Sequence, residues 1–213
     1  MSPKNNSKPK VDTRDRLITT MVELMWTKGY SAISVDDICK SSGAQKGSFY
    51  HFFQSKAELA VVSCEAVWKE CRAELDTIFS PSRPPLERFV YFLALLYEEQ
   101  VEKQKEFGYV VGCPYCTIGT ELATQDEDIR KRIAIIFEAH LRYFENALRD
   151  AVAEGTLPAD TNVKEKAQEI DAQITGAFAT ARIKNSLAAV GNGLVTAVFH
   201  CLGVPAPKLS ESA

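Results

Sequence analysis

No apolar run in this 213-residue chain approaches ~18 residues, so nothing in it reads as a membrane span. Its first stretch, MSPKNNSKPK, has no apolar segment behind it, and residues 1–12 read as a disordered basic arm rather than a secretory signal. Histidines number three, and no G-x-S-x-G, H-E-x-x-H or phosphate-loop pattern occurs, so no catalytic residues are expected. A single C-x-x-C, Cys113-Pro-Tyr-Cys116, lacks the further ligands of a structural zinc site; His140 or Cys64 added to it makes too thin a set. The same C-P-Y-C looks like a glutaredoxin redox pair, but a thiol enzyme of that kind needs strands alternating with helices, and the alternation is missing. Neither metal nor cofactor is expected, and the chain does not read as an enzyme. An overall excess of positive charge is missing too, since the net charge is −3.

The distribution of that charge is more telling than its sum. Residues 1–56 carry nine Lys or Arg against five Asp or Glu, a local +4, while the remainder carries −7. A basic front part on an acidic body is expected where only the front meets phosphate. Hydrophobic residues make up 46% of the chain, enough for a substantial core. Six cysteines without an extracellular context suggest reduced thiols in a cytoplasmic protein.

Helical periodicity dominates, and the expected fold class is all-α. Leu17, Ile18, Met21, Val22 and Met25 form one stripe of a first helix between Asp12 and Gly29. Ser34 can cap a short second helix whose first turn holds Asp36 and Asp37, and Gly43 supplies the turn that stops it. A third helix, Gln45 to Phe52, is rich in donors: Gln45, Lys46, Ser48, Tyr50 and His51, with Phe49 and Phe52 behind them. Ser55 and Glu58 form an S-x-x-E box that opens a long connecting helix, about 55 to 79. Two helices joined by a short glycine turn, the second carrying donors, fit a major groove. The three-helix helix-turn-helix domain is expected at 13–58 and a helical body at 80–213, divided at the proline-rich stretch Pro81 to Pro85.

The stretch KGSFYHFFQSKAEL resembles the recognition-helix signature KGxxYxxFxxKxxL of TetR-family transcriptional regulators, through Lys46, Gly47, Tyr50, Phe53, Lys56 and Leu59. The resemblance covers about the first quarter of the chain. It implies a DNA-binding regulator, most often a repressor, released from an inverted-repeat operator on double-stranded DNA by a small-molecule effector. Candidate DNA contacts are Ser34, Gln45, Lys46, Gly47, Ser48, Tyr50, His51 and Lys56, with Tyr50 and Lys56 matching phosphate-contacting positions of the family. The first donors can reach base edges, Gly47 permits close backbone approach, and Tyr50, His51 and Lys56 can meet phosphate.

Beyond the motif, the body carries aromatics and few polar groups. Trp68, Phe89, Phe92, Leu96, Cys113, Tyr115, Phe137, His140, Phe144 and Phe178 are candidates to line an apolar or aromatic effector pocket, with His140 its polar handle, although all can be plain core. Helices from about Asn162 to Lys184, and onward from Leu187, hold small residues and the glycines Gly191 and Gly193. Helix-interior glycine often marks close approach of another backbone. The resemblance implies that these last two helices pair across a homodimer, with Ile174, Phe178, Leu187, Val190, Gly191, Leu194 and Val198 in the seam. Cys113 and Cys116 have two further readings in the same fold, a packing turn or an electrophile- and redox-responsive switch. Pro114 at the first helical position would leave Cys113 near a cap that stabilises a thiolate.

Overall fold

The computed structural model describes residues 12–124 and 126–207; the arm expected at 1–12 lies outside the described residues but for Asp12. Within them every regular element is helical, and no strand occurs. The chain forms two compact units that divide between Val67 and Trp68.

In the first unit α1 spans Thr13–Lys28, and its stripe of Leu17, Ile18, Met21, Val22 and Met25 is buried as the periodicity predicts. Gly29, at φ 77°, ends it. Helix α2 covers Val35–Ser42 behind a complete capping box: Ser34 Oγ accepts from the Asp37 amide at 3.1 Å, and Asp37 accepts from the Ser34 amide at 2.9 Å. Gly43 adopts the left-handed conformation at φ 65° and turns the chain into α3, Lys46–Phe52, with Gln45 as its N-cap. Phe49 and Phe53 bury their rings and fix α3 from behind, whereas Phe52, expected there beside Phe49, is only half-buried. Helix α4 runs over Lys56–Ile78. Ser55 caps it through the Glu58 amide at 3.1 Å, while the Glu58 carboxylate accepts from the Gln54 amide at 2.6 Å, one residue upstream of the expected box partner.

The second unit begins inside α4 rather than at the prolines. Leu75 and Phe79 join its core, so Pro81 to Pro85 is a corner within the body. Helix α5, Pro85–Phe107, opens with proline at its first position, where no amide is needed. Then come α6, Pro114–Leu122, α7, Glu127–Ala153, and α8, Val163–Lys184, the last capped by Asn162 at the Glu165 amide, 3.3 Å. The core is aromatic at one end, where Phe79, Phe89, Phe92 and Phe144 pack ring on ring, and aliphatic along α8. Arg88, 2% exposed, is held there by Asp150 at 2.5 Å and by the Arg83 carbonyl at 2.8 Å, so its charge is compensated on the spot.

The last segment departs from expectation. Instead of one continuous helix holding both glycines, a single 3-10 turn, Leu187–Ala189, precedes α9, Asn192–Leu202, which keeps only Gly193 inside it. Gly191 is the N-cap of α9, and a Cβ there would meet the Tyr97 ring at 3.5 Å. Its close neighbour is thus a side chain of its own subunit.

Candidate nucleic-acid interface

Helix α3 presents a polar face because its one fully buried residue, Phe49, pins the opposite side. Gln45, Lys46, Gly47, Tyr50 and His51 are exposed and Ser48 is half-buried. Tyr50 is 56% exposed, unusual for so large a ring, and stands edge-on to Phe49 with centroids 5.1 Å apart. Lys46 Nζ lies 2.7 Å from Asp36 of α2. At Gly47 a Cβ would find no heavy atom within 4 Å, and the residue has no positive φ. Neither backbone conformation nor internal packing therefore demands glycine, although glycine in a helix costs roughly 1 kcal/mol against alanine. The fold gives no reason for it; a surface that approaches α3 from outside would.

Two of the expected DNA contacts have other work in the folded chain. Lys56 Nζ donates to the carbonyls of Ile33 at 2.7 Å and Tyr30 at 3.1 Å and sits 4.0 Å above the Tyr30 ring. Its ammonium ties the loop between α1 and α2 to the start of α4, as a strut within the head. Ser34 spends its hydroxyl on Asp37.

In the body, Trp68, Phe92, His140 and Phe144 come together: the His140 ring lies 6.0 Å from Trp68, 5.3 Å from Phe92 and 5.4 Å from Phe144. Burial pushes its imidazole down to about 4, so it is neutral at pH 7. Phe89, Phe144 and Phe178 are buried core, and Leu96 and Cys113 pack against that core. The expected pocket side chains thus largely fill one another's space. Two hollows in the body lie elsewhere, one beside Leu157, Glu165 and Cys201, the other beside Phe79, Arg88 and Tyr143. Tyr115 reaches a different neighbour, the Cys71 thiol, which burial and the nearby Glu99 push up to about 12.

Around Cys113 the structure adds a polar strap that sequence reasoning missed. Gln100 bonds both the amide and the carbonyl of Gly112, at 3.0 and 3.4 Å. Asn185 accepts from the Val110 amide at 2.9 Å, and Arg182 donates to the Val111 carbonyl at 2.9 Å and to Thr117 Oγ1 at 2.8 Å. Cys113 is the N-cap of α6 and Cys116 stands one turn on. The Cys113 thiol donates to Cys116, which also takes a hydrogen bond from Thr175. These two donors hold the Cys116 thiol below its ordinary range, while the Cys116 contact and burial raise Cys113.

The residues expected at a dimer seam are mostly spent inside their own subunit. Ile174, Phe178, Val190, Leu194 and Val198 are all buried in its core, and Leu187 and Gly191 are half-buried. Among the residues that α8 and α9 leave exposed are Ala172, Gly176, Ala179 and Ile183 on α8, and Gly193, Thr196 and His200 on α9. Ile183 is 83% exposed. The spacing i, i+4, i+7, i+11 puts the α8 residues on one face.

Comparison with known proteins bears on both units. Residues 17–61 match the family model for bacterial regulatory proteins, tetR family, and residues 88–194 match that for the tetracyclin repressor-like C-terminal domain. A Lactococcus lactis subsp. lactis protein, an uncharacterized HTH-type transcriptional regulator in the lacX 3' region, is 30% identical over 83% of this chain and 86% of its own length. The HTH-type transcriptional repressor NemR of Escherichia coli strain K12 is 23% identical over 94% of this chain and 99% of NemR. The crystal structure of regulatory protein TetR from Rhodobacter sphaeroides superposes with a TM-score of 0.79 at 27% identity, over 89% of this chain and 98% of that one.

Proposed function

The chain belongs to the TetR family of DNA-binding transcriptional regulators and is not an enzyme; from this premise we propose that it is a repressor, bound as a homodimer to an inverted-repeat operator and released by a small apolar or aromatic effector. The observation that carries the DNA reading is the outer face of α3: Gln45, Lys46, Tyr50 and His51 exposed around Gly47, a glycine the fold does not require. Base edges would be read by Gln45, Lys46 and Ser48, and phosphate met by Tyr50 and His51. Repression is suggested by NemR, which is named a repressor. Such a protein would act in the cytoplasm, on chromosomal DNA. The test is a gel-shift titration against the intergenic DNA beside its own gene, across a range of salt. A tight complex with a steep salt dependence is expected, and indifference to duplex DNA would sink the reading.

For assembly, TetR-family regulators are dimeric, and the exposed stripe ending in Ile183 is the surface of α8 and α9 that we assign to the seam. Two linked heads then address half-sites one helical turn apart, or a multiple of it. For release, α4 supplies Leu59 and Ser63 to the first unit and Leu75 to the second, with Trp68 next to His140. An effector inserted among Trp68, Phe92 and His140 would part rings that now touch. It can favour release only by binding the released conformation more tightly.

One observation favours a second trigger: Cys113, the N-cap of α6, and Cys116 stand one turn apart at the start of the same helix. The Cys116 thiolate would attack a peroxide, forming sulfenic acid as hydroxide departs. Cys113 would then displace water to close a disulfide, so two thiols give up two electrons and the peroxide becomes two waters. Peroxide that releases DNA from the wild type but not from Cys116→Ser would support the switch; equal release from both would remove it.

A further inference from the structure

Asp36 and Asp37 are neighbours in the first turn of α2, yet they are employed differently. Asp37 closes the capping box with Ser34 and lies 3.6 Å from Lys28. Asp36 takes no part in that cap; its carboxylate is 2.7 Å from Lys46 Nζ. Both side chains are open to water, 71% and 58% exposed, so the pair contributes little to folding. Its effect must be sought in what Lys46 can do next.

We propose that Asp36 is a specificity-determining positioning residue, which holds the Lys46 ammonium at the start of α3 and releases it only to a strong acceptor. The inference rests on the DNA reading above. A paired guanine O6 and N7 is such an acceptor for lysine in the major groove. A lone phosphate is a competitor that every sequence offers equally. A carboxylate beside the groove-facing lysine also repels the phosphate wall whatever the sequence, which lowers unselective binding. Discrimination comes as much from a repulsive element against wrong partners as from attraction to the right one. Asp36 supplies the repulsion and Lys46 the attraction. The pairing also sets the direction from which the lysine enters, since α2 and α3 are fixed by the Gly43 turn and by the buried Phe49.

The experiment is selection from a pool of duplexes with a randomised centre, using wild-type protein, Asp36→Asn, Lys46→Ala and the double variant. Unchanged melting of Asp36→Asn checks the fold. Asp36→Asn is expected to bind unselected duplex several-fold more tightly at low salt and to gain less on the selected operator. Its log–log salt slope should steepen by roughly one. Its selected motif should lose definition at the same base pair as that of Lys46→Ala, with no further loss in the double variant. An unchanged motif with an unchanged operator-to-random ratio overturns the proposal, as does loss of definition at base pairs that Lys46→Ala leaves intact. If wild-type protein enriches no motif at all, the DNA reading itself falls and this inference falls with it.

Discussion

A single residue tests the role of α3 most directly. Gly47 has open space where a Cβ would stand, so Gly47→Ala should raise the stability of the head by up to about 1 kcal/mol. The same methyl would meet DNA, so operator affinity should fall. Paired thermal melts and gel shifts check it; a variant that binds as tightly as wild type would show that nothing approaches α3 there. Lys46→Ala should cost about 1–3 kcal/mol of operator binding and relax one base position. Lys56 belongs to another class. With two backbone carbonyls on its ammonium, Lys56→Ala should destabilise the head by about 1–3 kcal/mol and leave the steep salt slope of DNA binding nearly unchanged. A motif lysine looks the same in sequence whether it meets phosphate or a carbonyl 23 residues away, and only the folded loop at Tyr30 and Ile33 tells them apart.

At the scale of elements, legibility followed the range of the interactions. The helix starts at Ser34, Ser55 and Asn162 are set by contacts three residues long and could be read directly. The Gly43 turn and the stripe of α1 were equally plain. By contrast, the strap over Val110 to Gly112 depends on Arg182 and Asn185, more than 70 residues onward, and no local pattern announces it. The expected seam residues follow the same logic: apolar periodicity finds the buried side of a helix, and Ile174, Phe178 and Leu194 are buried in their own subunit, whereas a surface meeting a second copy can consist of small residues on the other side. Two variants separate these roles. Leu194→Glu places a charge inside the subunit and should unfold it. Ile183→Glu should leave a folded chain whose dimer is weakened by about 3–5 kcal/mol. Analytical ultracentrifugation with circular dichroism distinguishes them, and an Ile183→Glu protein that stays fully dimeric would move the seam elsewhere.

For the whole molecule, stability should depend on pH through three partly buried groups of opposite effect. Burial, with Glu74 adding to it, raises Glu99 to about 7, and burial raises Asp171 to about 6. Each binds its proton more readily folded than unfolded, so acidification from pH 8 towards 4.5 strengthens the fold. His140, lowered to about 4, acts the other way: between about pH 6.5 and 4 the unfolded chain takes up a proton that the folded one refuses. The body should therefore gain stability as pH falls from 8, with His140 cancelling part of the gain below about pH 6.5. Glu99→Gln should melt higher than wild type at pH 8, by less than about 3 kcal/mol once solvent screening is allowed for, and no higher at pH 4.5. An identical difference at both pH values would rule out the buried carboxyl as its source. Signal transfer is measurable on the same scale. In a Trp26→Phe background, an aromatic inducer should quench Trp68 and lower operator affinity over one titration, and His140→Ala should weaken both together without altering inducer-free DNA binding.

The strap at Val110 to Gly112 makes assembly visible from a distance. Two of its anchors, Arg182 and Asn185, flank Ile183 at the end of α8. Side-chain hydrogen bonds of this kind open by local fluctuation, and the amides of Val110 and Gly112 exchange with solvent hydrogen only when they do. A second subunit seated on Ile183 would damp the last turn of α8 and lengthen the closed lifetime of both amides. Their exchange rates would then depend on protein concentration, so two backbone positions remote in sequence from the contact would count dimers.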